Sequence, residues 1–334
     1  MEGHSGHISY VAGFLFSGAW ACYLPKMIIF QAKQQEPIEG FTSFSLIFRP
    51  MKCNNCQTIL PAGARFCFNC GAPQPPEPKR EAKPPPKPMV DLGGNIEQQL
   101  VELFFQALRR RVEEEHQPEQ FQQYSERLYE SGFRDTVARK AAHLGEALRS
   151  LDAKGAATAR ETNRRIIRLF EEQLDYFIIR YCQDMNEIPL PEAILRWQGV
   201  EKDSINFFKM ALDYLDFGSE PDETVYTDFL KMPVDKLKNA GKFFLFPQRD
   251  ERILLICDQS LLGSCKEGFA LTERGLYWKA QLQTARQVAF GALESVRREK
   301  DWLLINGHFF NANPSLNLKM MKLLKKLSRL YPFP

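Results

Sequence analysis

The chain has 334 residues, of which 44% are hydrophobic and 25% charged, and its formal net charge is +3. This is the composition of an ordinary globular protein, long enough to build a real core and to divide into two or three domains. A charge this small makes no case for nucleic-acid binding by itself.

Residues 1–50 carry an apolar run, Ile8 to Phe30, whose length could span a bilayer, although Pro25-Lys26 cuts the better part to Ile8–Leu24. No basic residue precedes the run, as a secretory signal would require. Met51-Lys52-Cys53 reads as a natural start, so the expectation is that 1–50 is an extension from an upstream start codon. A single-pass membrane anchor is the alternative.

Residues 51–73 contain the only stretch that dictates a specific chemistry. Cys53-Asn54-Asn55-Cys56 and Cys67-Phe68-Asn69-Cys70 are two Cys-x-x-Cys pairs with ten residues between them. Each pair can place two thiolates on a tight turn, and two facing turns make a tetrahedral sulfur cage that suits Zn2+. Cys53, Cys56, Cys67 and Cys70 are therefore the expected ligands of one structural zinc, with no open position for water or substrate. A segment this short would draw its folding free energy from the metal. Disulfides, a redox pair and iron in a rubredoxin-like cage are the competing readings. The first is disfavoured by the intracellular look of the chain, the second by the lack of a surrounding βαβ pattern. The stretch from Met51 to Cys56, followed by Pro61-Ala62-Gly63-Ala64-Arg65-Phe66-Cys67-Phe68-Asn69-Cys70-Gly71, resembles the short zinc ribbons of many bacterial proteins, and in particular one half of a double zinc ribbon. No second ribbon follows, and the motif specifies a metal rather than one function.

The other cysteines, Cys22, Cys182, Cys257 and Cys265, show no ligand spacing, and Cys182 and Cys257 read as buried apolar residues. The histidines, His4, His7, His116, His143 and His308, are scattered and do not suggest a catalytic metal site. Residues 74–94 are rich in proline, with Lys, Arg and Glu between, and read as a semi-rigid spacer able to hold the ribbon on the order of 50 Å from the next domain, at about 3.1 Å per residue.

Residues 95–217 have helical periodicity and are expected to form a bundle. The spacing predicts helices from about Asn95 to Glu115, from Pro118 to an interruption at Gly132, from Arg134 to Leu151, from Ala159 to Met185, from Pro191 to Leu195 and from Ser204 to Leu215. Arg109-Arg110-Arg111 with Glu113-Glu114-Glu115, and the pair Arg164-Arg165, are expected to sit on solvated faces. There is no Gly-rich phosphate loop, nucleophile elbow or His-Glu metal helix.

Residues 226–334 change period. Strands are expected at Phe243–Phe246, Arg252–Cys257, Gly268–Thr272, Leu276–Lys279, Gln287–Phe290, Trp302–Ile305 and His308–Asn311. Gly275 is expected to provide a positive φ, and Asn306-Gly307 is the best hairpin turn. A helix from Pro314 to Leu330 ends the segment. Antiparallel strands followed by one helix is the order of a pleckstrin-homology-like barrel, with the helix plugging an open end by its leucine face. The run Glu267-Gly268-Phe269-Ala270-Leu271-Thr272-Glu273-Arg274-Gly275-Leu276-Tyr277-Trp278-Lys279 also resembles a signature of uncharacterised bacterial domains. Lys319, Lys322, Lys325, Lys326 and Arg329 form a basic face, expected to be solvated, with contact to an anionic membrane as the alternative. Lys279 after Tyr277-Trp278 is weighed as a ligand-binding residue, but alternating aromatic residues more often pack across strands.

The whole is expected to be a multidomain α+β protein: a small zinc ribbon with four cysteine ligands, a proline-rich linker, a helical bundle and a β-barrel closed by a helix. Its expected role is that of a non-enzymatic cytoplasmic adaptor with a protein partner. Nucleic acid is a weaker partner, since the ribbon has only Lys52 and Arg65 as basic residues, and a membrane could be met through residues 8–30 or the basic helix. No small-molecule substrate is indicated. An enzyme built on Asp175, Asp184 or Glu187 is the third reading.

Overall fold

A computed structural model describes residues 51–53, 55–56, 59–60, 66–67, 69–73, 87–150 and 156–331. The apolar stretch 8–30 and most of the proline-rich stretch lie outside the described residues. The chain divides into two compact units, Met1–Ala82 and Lys83–Pro334. In the first, β1 (Met51–Lys52) pairs antiparallel with β2 (Ile59–Leu60), and Phe66 bridges Pro73.

The second unit begins with helices. α1 (Ile96–Glu115) starts at Asn95, whose side chain accepts from the Gln98 N–H at 3.0 Å. α2 (Phe121–Glu130) follows a 3-10 turn at Pro118–Gln120, and Gly132 turns the chain at φ +68° into α3 (Phe133–Arg149). α4 (Ala156–Tyr181) and α5 (Phe207–Leu215) complete this part, α5 being capped by Asn206. α1 packs against α2, α3 and α4, with Phe104 edge-on to Phe170 at 5.8 Å. The helix expected at Pro191–Leu195 is a 3-10 turn, Glu192–Trp197.

The strands form two antiparallel sheets. β3 (Thr224–Tyr226), β4 (Ile253–Asp258), β5 (Gly268–Thr272), β6 (Gly275–Lys279) and β7 (Arg286–Ala289) lie in sequence order, with α6 (Val234–Phe243) between β3 and β4. β8 (Val296–Glu299), β9 (Trp302–Ile305) and β10 (His308–Phe310) make the second sheet. Asn306 and Gly307 have φ of +48° and +77° and join β9 to β10 with Ile305 opposite His308, the two-residue hairpin that the sequence predicts. The chain then enters α7 (Pro314–Leu330), capped by Asn313.

Four expectations are corrected. The strands do not close into a barrel among the described residues, because the chain turns through Phe290–Ala292 after β7 and starts a separate sheet. Phe243–Phe246 is not a strand: Phe243 ends α6, and Phe244 and Leu245 are buried in the loop that follows. Gly275 has no positive φ. It is glycine because a Cβ there would lie 2.6 Å from the Val288 carbonyl oxygen on β7. Finally, α7 is no plug with a wet outer face, since Lys319 and Lys322 are 2% and 3% exposed.

Residue alternation along β4–β6 explains why these strands read as continuous apolar runs. Leu255, Cys257, Phe269, Leu271, Leu276 and Trp278 belong to the main core, which also takes in the helices, the second sheet and α7. Ile256, Ala270 and Tyr277 point the other way, into a smaller core with Met232, Ala240 and Phe244 around α6. Phe310 brings the second sheet onto the first, 5.6 Å from Phe269 and 6.2 Å from Trp278, whose indole N–H donates to the Phe309 carbonyl at 2.8 Å. Residues 95–217 and 226–334 thus lie in one unit and share a core. Among the described residues no helix is long and apolar enough to cross a membrane.

Gly268 sits where β5 crosses closest to β4. At its φ of +142° a Cβ would meet the Cys257 carbonyl oxygen at 2.1 Å. Gly268→Ala is expected to destabilise the unit by about 3 kcal/mol, against a change within about 0.5 kcal/mol for Gly291→Ala, where a Cβ meets nothing within 4 Å. Urea denaturation of the two variants checks this.

Candidate metal centre

The sulfur atoms of Cys53, Cys56, Cys67 and Cys70 all lie within 4.8 Å of one another. Cys53 and Cys70 are 3.6 Å apart, as are Cys56 and Cys67, so the contacts run between the two Cys-x-x-Cys turns. A tetrahedral zinc with Zn–S bonds of about 2.3 Å has sulfur–sulfur edges of about 3.8 Å, and the four thiols fit that size. The turns repeat one local geometry. The Asn55 N–H points at Cys53 Sγ and the Asn69 N–H at Cys67 Sγ, each at 3.4 Å, and the Asn69 side-chain amide donates to Cys56 Sγ at 3.7 Å. Such donors stabilise thiolate charge.

The backbone N–H of Cys56, ahead of the opposing effect of burial, lowers the Cys53 thiol below its usual range. Burial raises the Cys67 thiol to about 11. The charge of a bound cation would favour the thiolate form of all four at once. The sulfur-only donor set could hold a metal ion such as zinc. Among the described residues no other group of His, Cys, Asp and Glu gathers in this way.

The other weighed residues fall elsewhere. Cys182, Cys257 and Cys265 are buried, and burial raises the thiols of Cys182 and Cys265 to about 12. Cys22, His4 and His7 lie outside the described residues. Lys279 is paired with Glu267 at 2.8 Å. Arg164 and Arg165 sit half-exposed to exposed on α4 and pair with Glu161, as expected of a solvated face.

The carboxylates weighed for catalysis are not gathered into a site. Asp184 forms a two-pronged pair with Arg127, both contacts at 2.8 Å, and Glu187 is exposed. Asp175 is buried in an ion cluster that the sequence did not reveal. Arg111 on α1 reaches Glu115 at 3.1 Å, Asp175 at 2.6 Å and also Glu171. Lys322 on α7 reaches Glu115 at 3.2 Å and also Asp175, and Arg329 reaches Glu171 at 3.1 Å. Burial pushes the Asp175 carboxyl up, but Lys322 and Arg111 outweigh it and hold the carboxyl below the usual range. The adjoining cavity has about 20 Å3, room for one water rather than a substrate. Arg111 and Glu115 therefore depart from the solvated helix face expected of them, and the basic face of α7 is turned inward. Lys319 meets Glu220 and Ser219 at 2.6 Å each, Lys325 pairs with Glu114, and Lys326 donates to the Trp197 carbonyl at 2.8 Å.

No protein-family model, curated protein or solved structure matches the chain.

Two outcomes are expected. In metal-loaded protein the ribbon thiols resist a thiol reagent, and a chelator releases four of them in a timed titration. The second concerns His116, stacked on Tyr124 with ring centres 5.1 Å apart and its Nε2 buried without a partner among the described residues. Burial holds His116 down to about 4 from an ordinary 6.5. A lowered histidine contributes stability above the unfolded value, and this is lost as pH falls from about 6.5 towards 4. The urea midpoint should fall between pH 7 and pH 5, and less so in His116→Gln. His308, lowered by burial and Arg286, keeps part of the slope.

Proposed function

We propose that the protein is a non-enzymatic adaptor whose N-terminal ribbon holds one structural Zn2+ on Cys53, Cys56, Cys67 and Cys70 and docks a protein partner. The carrying observation is the closed, sulfur-only cluster, which leaves a bound ion no open position for water or substrate. The engagement of Asp175 in ion pairs with Arg111 and Lys322 and the one-water cavity beside it weigh in the same direction. The order of antiparallel strands followed by α7 supports a pleckstrin-homology-like reading of residues 226–334, in a form whose two sheets stay separate. Such a domain presents surfaces and names no reaction.

Native mass spectrometry of the chain purified from its own host tests this. The expected species carries one zinc and a second protein, and both are missing when Cys53 and Cys67 are replaced by Ser. A chain without metal, or one with unchanged metal content after the double replacement, would overturn the zinc. Salt-labile nucleic acid in place of a protein would transfer the reading to a nucleic-acid regulator.

A further inference from the structure

The ion cluster opens at its margin into the cavity of about 20 Å3, which α4, α5 and α7 wall together. The acids that line this cavity are all engaged. Glu171 is held by Arg111 and Arg329, Asp175 by Arg111 and Lys322, and the Glu172 carboxylate accepts from the Gly199 N–H at 3.0 Å. Two of the lining bases are not matched in this way. Arg168 is exposed and makes no ion pair or hydrogen bond among the described residues, although Glu171 and Glu172 follow it by one turn on α4. Lys326 is half-buried, and its one hydrogen bond among the described residues goes to the Trp197 carbonyl at 2.8 Å. Lys319, Lys322, Lys325 and Arg329 on the same helix all reach a carboxylate.

Tyr214 on α5 forms another wall. It is 3% exposed, and its hydroxyl makes no hydrogen bond among the described residues. Burial, and after it the charge of Asp175, pushes this phenol well above its ordinary range, so it stays protonated and keeps a hydrogen to donate. Burial, and after it the charge of Arg329, lowers the Lys326 ammonium despite Glu172 and Asp175, so the acids in reach do not compensate this base. With Arg168, Lys326 and Glu172 added to the three bases and three acids of the cluster, five bases stand against four acids.

We infer that this cavity is a binding site for one small monovalent anion of the size of chloride, held by the Lys326 ammonium, the Tyr214 hydroxyl and the Arg168 guanidinium. The sign of the ligand follows from the donors, since an ammonium with hydrogens to spare, an unpaired guanidinium and a protonated phenol all have hydrogens to give. Its charge follows from the surplus of one base, which a single negative ion balances, giving a half-buried cation the partner it lacks. Its size follows from the volume. About 20 Å3 takes one water-sized body, so phosphate and sulfate are too large to enter. A water fills the same space but leaves the surplus charge unmatched. The bound ion ties α4, α5 and α7 together at one point.

Chloride NMR of the full chain tests this, with gluconate as the balancing anion so that ionic strength and screening stay constant. The wild-type chain should broaden the chloride line saturably, bromide should compete the broadening away, and sulfate should not. The thermal midpoint should rise as chloride replaces gluconate, because the ion binds only the folded chain. Lys326→Met should abolish both effects. Tyr214→Phe should weaken the affinity roughly tenfold, the worth of one hydrogen bond to a charged partner, and Arg168→Gln should weaken it as well. Lys238→Met, at an exposed lysine of α6, should change nothing. If Lys326→Met does not fold, Tyr214→Phe and Arg168→Gln carry the test, since the first keeps the buried ring and the second alters an exposed side chain. Chloride drawn to the ribbon is common to every variant and does not differ between them. A wild-type chain without saturable broadening, a midpoint indifferent to the exchange of anions, cavity variants that bind as well as wild type, or sulfate that competes as well as bromide would each overturn the inference.

Discussion

Lys322 carries its charge into the interior of the larger unit, and much of the packing follows from that. Taking one ion out of water costs several kcal/mol, recovered only if its partners arrive with it. Here they come from three helices: Arg111 and Glu115 from α1, Glu171 and Asp175 from α4, Lys322 and Arg329 from α7. Three bases face three acids: α4 supplies only acids and α7 only bases, while Arg111 and Glu115 pair with each other on α1 and also reach across to the other two helices. Half of the arrangement would leave bare ions in an apolar core, so the C-terminal helix and the N-terminal helices are bound to form together. This coupling joins the segment that reads as a bundle to the segment that reads as strands.

The five-stranded sheet imposes a second constraint. Both of its faces are apolar along β4–β6, so it requires cover on two sides. α7 and the second sheet belong to the core on one face, and α6 with its following loop covers the other. Gly268 and Gly275 mark where neighbouring strands approach too closely for any side chain. The polar groups that must enter this core are bonded locally: Asn317 accepts from the Ala312 N–H at 2.9 Å and donates to Asn311 at 2.8 Å, and Glu251 accepts from the Tyr277 hydroxyl at 3.0 Å.

The ribbon works on a different principle. Among the described residues its core is its cysteines, with Cys53 and Cys67 buried at 0% and 2% exposure and Cys56 and Ala72 packed against them. What the ribbon offers is a set of four donor atoms that could hold a cation, while the larger unit depends on area and paired charge.

By itself the sequence determined whatever is local. Cys-x-x-Cys spacing, Gly132 as a break and Asn306-Gly307 as a hairpin act within a few residues, and the structure places them as the pattern indicates. The helix periods of α1, α4 and α7 were legible for the same reason. What only tertiary structure decided is which side of an element faces inward when that side is charged. Lys319 and Lys322 look like a wet face because a pattern of lysines records charge and not the carboxylates 147 and 207 residues away in sequence that neutralise Lys322. Phe243–Phe246 looked like a strand because four residues carry too little periodicity to separate a strand from a helix end buried against a sheet. Closure of the sheets was likewise undetermined, since it depends on which edges pair, and strand lengths and turns do not say where a chain begins a new sheet.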